Sequence, residues 1–227
     1  MSRAEIALRI SLAAIVVFMV VQLTGHAVAD VLLMPLALIT DTLSETYTAQ
    51  LSWAPGSRDM VQVTAQLFDG GQSLAPLDIY NGAQIKAAIH LEHMLLPVVL
   101  LYTVLGAWPQ PDWRRRMVVM LAGVPGALVT LALTTPFLLA GKIEMLLLER
   151  AAAMGVPRAE PGLLRWMLFT EGGGRWLLAI VLALVIIVAI DVVMPARDVS
   201  EGTRSSRNAG RNPRHGSTRK EHTRSRR

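Results

Sequence analysis

The sequence predicts a mainly α-helical membrane protein, with about four transmembrane helices and a small extracytoplasmic β-hairpin. Hydrophobic residues make up 52% of the 227 residues and charged residues only 17%, whereas about 25% of a typical soluble domain is charged. Four separate stretches stay apolar over most of the roughly 20 residues that a helix needs to cross a bilayer. The chain has no cysteine, which excludes disulfides, thiolate metal sites and a cysteine nucleophile.

The predicted spans divide the chain into an N-terminal helix, an outer segment and a three-helix region. The spans cover about 6–24, 86–108, 117–140 and 176–194. The divisions that follow are a transmembrane helix within 1–24, an extracytoplasmic segment over 25–85, a transmembrane region over 86–195 with an outer amphipathic segment at 141–175, and a tail over 196–227.

The N-terminal span has a second interpretation. Arg3 and Arg9, an apolar run and the small residues 27–29 are also the pattern of a secretory signal peptide with its cleavage site after Ala29. The chain becomes apolar again at once over 31–39, and we therefore favour an uncleaved span. Cleavage would leave three spans.

The distribution of arginine predicts the orientation of the spans. Arg3 precedes the first span and Arg9 lies near its start, residues 114–116 are all arginine between the second and third spans, and the Arg-rich tail follows the fourth. With four spans these groups fall on one side, and Lys and Arg mark the cytoplasmic side. We expect a bacterial inner-membrane protein with both termini in the cytoplasm, and with 25–85 and 141–175 outside.

The outer segment after the first span has the pattern of two strands. Residues 47–53 and 61–67 alternate apolar and polar side chains, which is typical of strands with one buried face. Pro, Gly and Asp over 54–59 indicate a turn between them. We therefore expect a β-hairpin over 47–68. Two strands alone are marginally stable, so the hairpin must pack on the rest of the chain or on a partner.

The C-terminal residues account for the basic character of the chain. Residues 197–227 hold ten Lys and Arg against three acids, a net charge of +7, so the rest of the chain carries −2. Their composition cannot bury enough apolar surface to fold. We expect 196–227 to be a disordered cytoplasmic tail attracted to membrane lipids. The tail has no aromatic residue for base stacking, and no nucleic acid is expected as a partner.

His90, Glu92 and His93 are the most informative polar residues. On a helix, His90 and His93 would share a face, as two ligands of one ion must, and imidazole suits Zn and Cu. A Zn or Cu site at these three residues is therefore one hypothesis. The interpretation that we favour needs no cofactor, because polar side chains are ordinary where a helix leaves the bilayer.

Further polar residues lie at the same outward level of the predicted bundle. Because the outward ends of neighbouring spans share one depth, we expect these residues to form a polar junction with the 90–93 segment. Its members are His26, Asp30, Glu144, Glu149, Glu171 and Arg175. The three glycines of 172–174 predict a flexible joint before the fourth span. Asp191 lies near the inner end of that span, where water can reach it.

The order of these elements resembles that of the small membrane proteins encoded with bacterial exosortases, enzymes that sort proteins in envelope and exopolysaccharide systems. The resemblance is carried by the 47–68 hairpin, the start of the second span, the Trp-Arg-Arg-Arg run at 113–116 and the glycine joint at 171–175. It implies an accessory role at the inner membrane and assigns no catalytic residue. An exosortase itself is excluded, because its catalytic cysteine has no counterpart here.

We therefore expect an integral accessory or interaction protein rather than an enzyme. Its expected partners are membrane lipids and another integral membrane protein. The alternative is a metal-binding protein or membrane-embedded enzyme that uses His90, His93 and the outer carboxylates. A transporter is disfavoured because the sequence shows no internal repeat.

Overall fold

Five α-helices and a three-stranded sheet form the computed structural model, which describes residues 3–44, 46–67, 83–110 and 112–194. Within those ranges, three helical segments are long and apolar enough to cross a membrane, namely Ala4–Thr42, Trp113–Ala153 and Gly162–Val193. A further apolar helix, Leu91–Ala107, has 17 residues. This agrees with the predicted class, a mainly α-helical membrane protein with a small sheet. The predicted tail, 196–227, lies outside the described residues.

Helix α1, Arg3–Thr42, is much longer than the predicted first span. It contains 40 residues, which corresponds to about 60 Å. The predicted boundary at residue 24 is therefore corrected, since the first 18 residues of the expected outer segment continue the same helix. The apolar run over 31–39 has no cluster of turn residues, and Pro35 alone does not end the helix. Ala29, at the alternative cleavage site, is fully buried in the middle of α1.

The sheet contains the strands β1 (Tyr47–Trp53), β2 (Met60–Leu67) and β3 (Gln84–His90). Their order in the sheet is β1-β2-β3, and neighbouring strands are antiparallel. The first two strands form the hairpin that the alternation predicts. The third corrects the predicted start of the second span, because residues 86–90 are strand rather than helix. Apolar and polar side chains alternate over 84–87 as they do in a half-buried strand.

Alternate residues of all three strands are buried against the helices. Val61, Val63 and Ala65 are fully buried, and they belong to one core cluster with residues from α1 and from the C-terminal half of the long third helix. This packing stabilises a sheet that would be marginal alone. The helical members include Ala29, Leu36, Leu139, Ile143, Leu147 and Ala151.

The remaining helices are α2 (Leu91–Ala107), α3 (Trp113–Ala153), α4 (Gly162–Phe169) and α5 (Arg175–Val193). Helix α3 continues past the predicted span to Ala153, as the amphipathic segment after residue 141 predicts. The sequence predicts a flexible joint at the three glycines, whereas the structure has a π-helical segment, Thr170–Gly174, that connects α4 to α5. The kink is at Gly173, whose φ of 113° is one that other residues rarely adopt.

A second core cluster joins α2, α3 and α5 toward the opposite end of the molecule. Its members include Leu101, Leu105, Val119, Ala183 and Ile187. Small residues permit the close approach of the helices. A Cβ atom at Gly126, for example, would lie 2.7 Å from the Cδ1 atom of Ile186.

Helix α1 lies at the periphery of this bundle. It packs along α2, but in the part of the chain that the structure describes none of the 18 residues in its most apolar stretch is buried.

Candidate functional site

A polar cleft lies between the middle of α1 and the turn that joins β1 to β2. We call it the hairpin cleft. It has a volume of about 600 Å³ and is open to solvent. Its lining residues are His26, Asp30, Trp53, Ala54, Gly56, Ser57 and Arg58. Two of the predicted junction residues, His26 and Asp30, therefore belong to a cavity that also contains an indole and a guanidinium group.

Each of the two α1 residues in the hairpin cleft contacts a residue of the hairpin. The indole N–H of Trp53 donates a hydrogen bond of 2.7 Å to Oδ1 of Asp30. Nε2 of His26 lies 3.3 Å from Oδ1 of Asp59, and the His26 and Trp53 rings have centroids 5.8 Å apart. These contacts fix the hairpin to the side of α1.

The turn itself is held by backbone geometry and by α2. Gly56 has a φ of 79°, in the left-handed region that favours glycine. The carbonyl of Asp59 accepts a 2.8 Å hydrogen bond from the N–H of Leu91, the first residue of α2. The turn therefore lies at the level where α2 begins. Arg58 is exposed and forms no hydrogen bond or ion pair within the described ranges, so its guanidinium group is available to a ligand.

The residues of the predicted metal site lie at the boundary between β3 and α2. His90 is the last residue of β3, opposite Met60, whereas Glu92 and His93 lie in the first turn of α2. The two histidines therefore do not share a helical face, because the helix begins only at Leu91. No three His, Cys, Asp or Glu side chains come together as a metal-binding group among the described residues. Binding of Zn or Cu stays a prediction.

The members of the predicted polar junction form separate pairs. Oε2 of Glu144 accepts a 2.7 Å hydrogen bond from Arg158, and Oε1 of Glu171 lies 3.9 Å from Nζ of Lys142. Glu149 is exposed on α3.

Two side-chain contacts connect the segment around 90–93 to other helices. Arg175 donates to the main-chain oxygen of His93 at 3.4 Å, and Nε2 of Gln22 lies 3.5 Å from Oε1 of Glu92. The 90–93 segment is thus connected to α1 and to α5.

The pair of Glu144 and Arg158 is buried under the sheet. Glu144 is only 5% exposed, and Tyr47 of β1 lies beside the pair. Burial, and then the Glu144 carboxylate, raise the pKa of the Tyr47 phenol above its usual range. Sequence reasoning did not find Arg158, because a loop residue 14 positions from its partner follows no helical or strand spacing.

A second charged pair joins the start of α3 to the end of α5. Arg115, which is buried, donates to Oδ1 of Asp191. The position of Asp191 near the end of its span predicts that water reaches it, and its side chain is half exposed. The same carboxylate also neutralises the charge of Arg115. The pair shows that the start of α3 and the end of α5 lie at the same end of the bundle.

Comparison of the chain with protein-family models, with curated proteins and with solved structures gives no match. What the site can do follows from its own side chains. The hairpin cleft presents both signs of charge, an imidazole and an indole around one solvent-open cavity. Such an arrangement can bind a small polar group.

Proposed function

We propose that this chain is an accessory subunit of a bacterial inner membrane, with four transmembrane helices, and that it binds another integral membrane protein through α1. One observation carries the proposal. Val31, Met34 and Leu38 are 75%, 75% and 62% exposed, and we place this C-terminal part of α1 beyond the hydrocarbon core. Their spacing of three and four residues aligns them on one helical face, which we call the upper α1 stripe.

The contacts of α2 support the fourth span. Arg175 at the start of α5 contacts the start of α2. At the other end, Arg116 donates to the carbonyl of Gly106 in α2, and its neighbour Arg115 pairs with Asp191 near the end of α5. Helices α2 and α5 thus cover the same depth, and a bilayer crossed by α5 is also crossed by α2. The 17 residues of α2 extend about 25 Å, close to the roughly 30 Å of a hydrocarbon core.

The position of the hairpin cleft supports a location of the upper α1 stripe outside the bilayer. His26 and Asp30 are the first charged or ionisable residues of α1 after Arg9, so α1 leaves the hydrocarbon core near them. Leu38 lies 12 residues beyond His26, about 18 Å along the helix. The headgroup layer on each side adds only about 5–8 Å. Lipid chains therefore do not cover Leu38, and exposed apolar patches in water mark sites of protein contact.

The partner that fits this surface is a membrane protein with a helix that also continues past the bilayer. Such a helix can pack against the upper α1 stripe by its own apolar face. It can also follow α1 into the membrane, where the most apolar stretch of α1 is unburied. The resemblance to exosortase-associated proteins suggests envelope protein sorting or exopolysaccharide export as the process.

Site-specific photo-crosslinking in native membranes tests the proposal. A photoreactive residue at Met34 of the full chain is expected to capture one integral membrane protein, whereas the same residue at Leu168, which is exposed on α4, is not. Met34→Glu with Leu38→Glu should abolish co-purification of that protein and leave the melting temperature unchanged. Equal labelling at both positions, or lipid adducts alone at Met34, would contradict the proposal. An adduct of twice the chain's own mass would replace it with self-association.

A further inference from the structure

The hairpin cleft lies directly above an exposed apolar part of α1. Met19, Leu23, His26 and Asp30 follow one another at spacings of 4, 3 and 4 residues, so they share one face of the helix. Met19 and Leu23 are 59% and 84% exposed, whereas His26 and Asp30 line the cleft. This face therefore changes from apolar to ionisable within one helical turn, at the depth where α1 leaves the hydrocarbon core.

The charges around the hairpin cleft select the type of ligand. Arg58 lines the cleft, Asp30 lines it from α1, and Asp59 lies at its edge beside His26. A purely anionic group would meet two carboxylates, and a purely cationic group would meet the guanidinium. A group that carries both charges, close together, can pair with both kinds of side chain.

The individual side chains suit an ammonium and a phosphate. Arg58 is unpaired among the described residues, and a guanidinium group matches the geometry of phosphate oxygens. The Asp30 carboxylate has about four acceptor positions, so the single bond from Trp53 leaves room for an ammonium group. The Trp53 ring adds a surface that attracts a cation. Tryptophan is also enriched at membrane interfaces.

We propose that the hairpin cleft binds a phosphoethanolamine group, and that its source is the headgroup of phosphatidylethanolamine in the surrounding bilayer. The phosphate pairs with Arg58 and the ammonium with Asp30 beside Trp53. The acyl chains of the lipid run down the exposed face at Leu23 and Met19. Free phosphoethanolamine offers the same charged groups to the cleft, but it makes no use of this apolar face. The site requires no partner protein.

Native mass spectrometry of the full chain tests this proposal. The protein is purified in mild detergent and equilibrated with equal amounts of phosphatidylethanolamine and phosphatidylglycerol. We expect it to retain one phosphatidylethanolamine in preference to phosphatidylglycerol. Arg58→Gln and Asp30→Asn should each lower retention about tenfold, the effect of losing one charge-assisted contact. Arg150→Gln and Glu149→Gln, which change exposed charges on α3, are the matched controls and should retain the lipid.

Two further measurements identify the source of the ligand. Leu23→Ser should weaken lipid retention without changing the effect of added phosphoethanolamine, because only the lipid contacts the apolar face. Displacement of the lipid only by millimolar phosphoethanolamine supports the membrane source. Binding of phosphoethanolamine with no retained lipid overturns the membrane source.

The remaining outcomes concern the chemistry of the site. Equal retention of phosphatidylethanolamine and phosphatidylglycerol would overturn the proposal that the cleft selects a zwitterionic headgroup. Because Asp30→Asn also weakens the hydrogen bond from Trp53 and can destabilise the hairpin, the exposed Arg58→Gln variant is the deciding one. Unchanged retention in that variant overturns the site.

Discussion

The Nη1 atom of Arg175 lies 3.4 Å from the main-chain oxygen of His93, and the reason lies four residues further along α2. Position 97 is a proline inside that helix, and proline lacks the N–H that would otherwise bond to the carbonyl of His93. Arg175, at the start of α5, supplies the missing donor. The contact joins two helices at the end where α2 begins, as Arg115 and Asp191 join α3 and α5 at the other end.

Removal of this donor should destabilise the protein in a way that depends on Pro97. We expect Arg175→Met to reduce the free energy of unfolding by about 1 kcal/mol, a typical value for one hydrogen bond. In a Pro97→Ala background the loss should shrink, because alanine restores the N–H within α2. Thermal unfolding in detergent measures both effects, with Arg165→Met as the control for an exposed arginine. Equal losses in the two backgrounds would show that Arg175 does not serve this carbonyl.

The buried pair under the sheet should be sensitive to loss of either partner. Glu144→Gln leaves the Arg158 guanidinium without its counter-charge, and Arg158→Met leaves a buried carboxylate. Each change is expected to cost about 3–5 kcal/mol. The double variant should cost less than the sum of the two, since it leaves no unpaired charge. Glu149→Gln, on the exposed side of the same helix, is the control, and strictly additive losses would contradict the pairing.

Gly141 lies where α3 and α4 approach each other closely. A Cβ atom there would lie 2.5 Å from Cβ of Met167 and 3.1 Å from the main-chain oxygen of Leu163. Since neither atom belongs to the end of a flexible side chain, we expect Gly141→Ala to cost about 1–3 kcal/mol. Gly162→Ala, where no atom lies within 4 Å, should change the melting temperature little. A tolerated alanine at 141 would mean that α4 is not held against α3.

The proposed four spans predict which side of the membrane each loop and the tail face. Reporter fusions after Pro111 and after Gly210 are expected to report the cytoplasm, and fusions near Gly71 and Gly155 the outside, because the arginine groups then face inward. Activity of an alkaline phosphatase or a fluorescent protein at each position measures this. A cytoplasmic signal at Gly71 would overturn the orientation from α1 onward.

Metal analysis of protein purified without a histidine tag decides between the two interpretations of His90 and His93. The structural interpretation predicts no stoichiometric metal, and a modest loss of thermal stability in His90→Ala and His93→Ala. Stoichiometric Zn or Cu that disappears in both variants would move the protein to the metal-binding class.

The sequence predicted most elements where the hydrophobic period was long and clear. The apolar core of α3, the whole of α5 and the alternation of β1 and β2 lie within a few residues of their expected positions. The two main differences are at boundaries. Helix α1 continues to Thr42 because an apolar segment after His26 is equally compatible with a helix, and β3 precedes α2 because a short apolar run can form either structure.

The candidate site was predictable only in part. His26 and Asp30 were found because topology brings the outward ends of helices to one level. Trp53 and Arg58 join them in the hairpin cleft because the hairpin folds back onto α1, and no local spacing encodes that approach. The pairing of Glu144 was likewise not predictable from local spacing, because its partner Arg158 comes from a loop.

The order of the packing partners along the chain also has a consequence for biosynthesis. Strand β3 is complete at His90, but Ile143 and Leu147, which belong to the core beneath the sheet, leave the ribosome about 50 residues later, roughly 3–10 seconds at usual rates of translation. Until then, among the described residues, the helical members of this core come from α1 and the start of α2, such as Ala29, Leu36, Met94 and Leu95. A nascent chain that stalls after α2 therefore leaves part of the apolar side of its sheet uncovered, and the synthesis of α3 is the step that completes the core beneath the sheet.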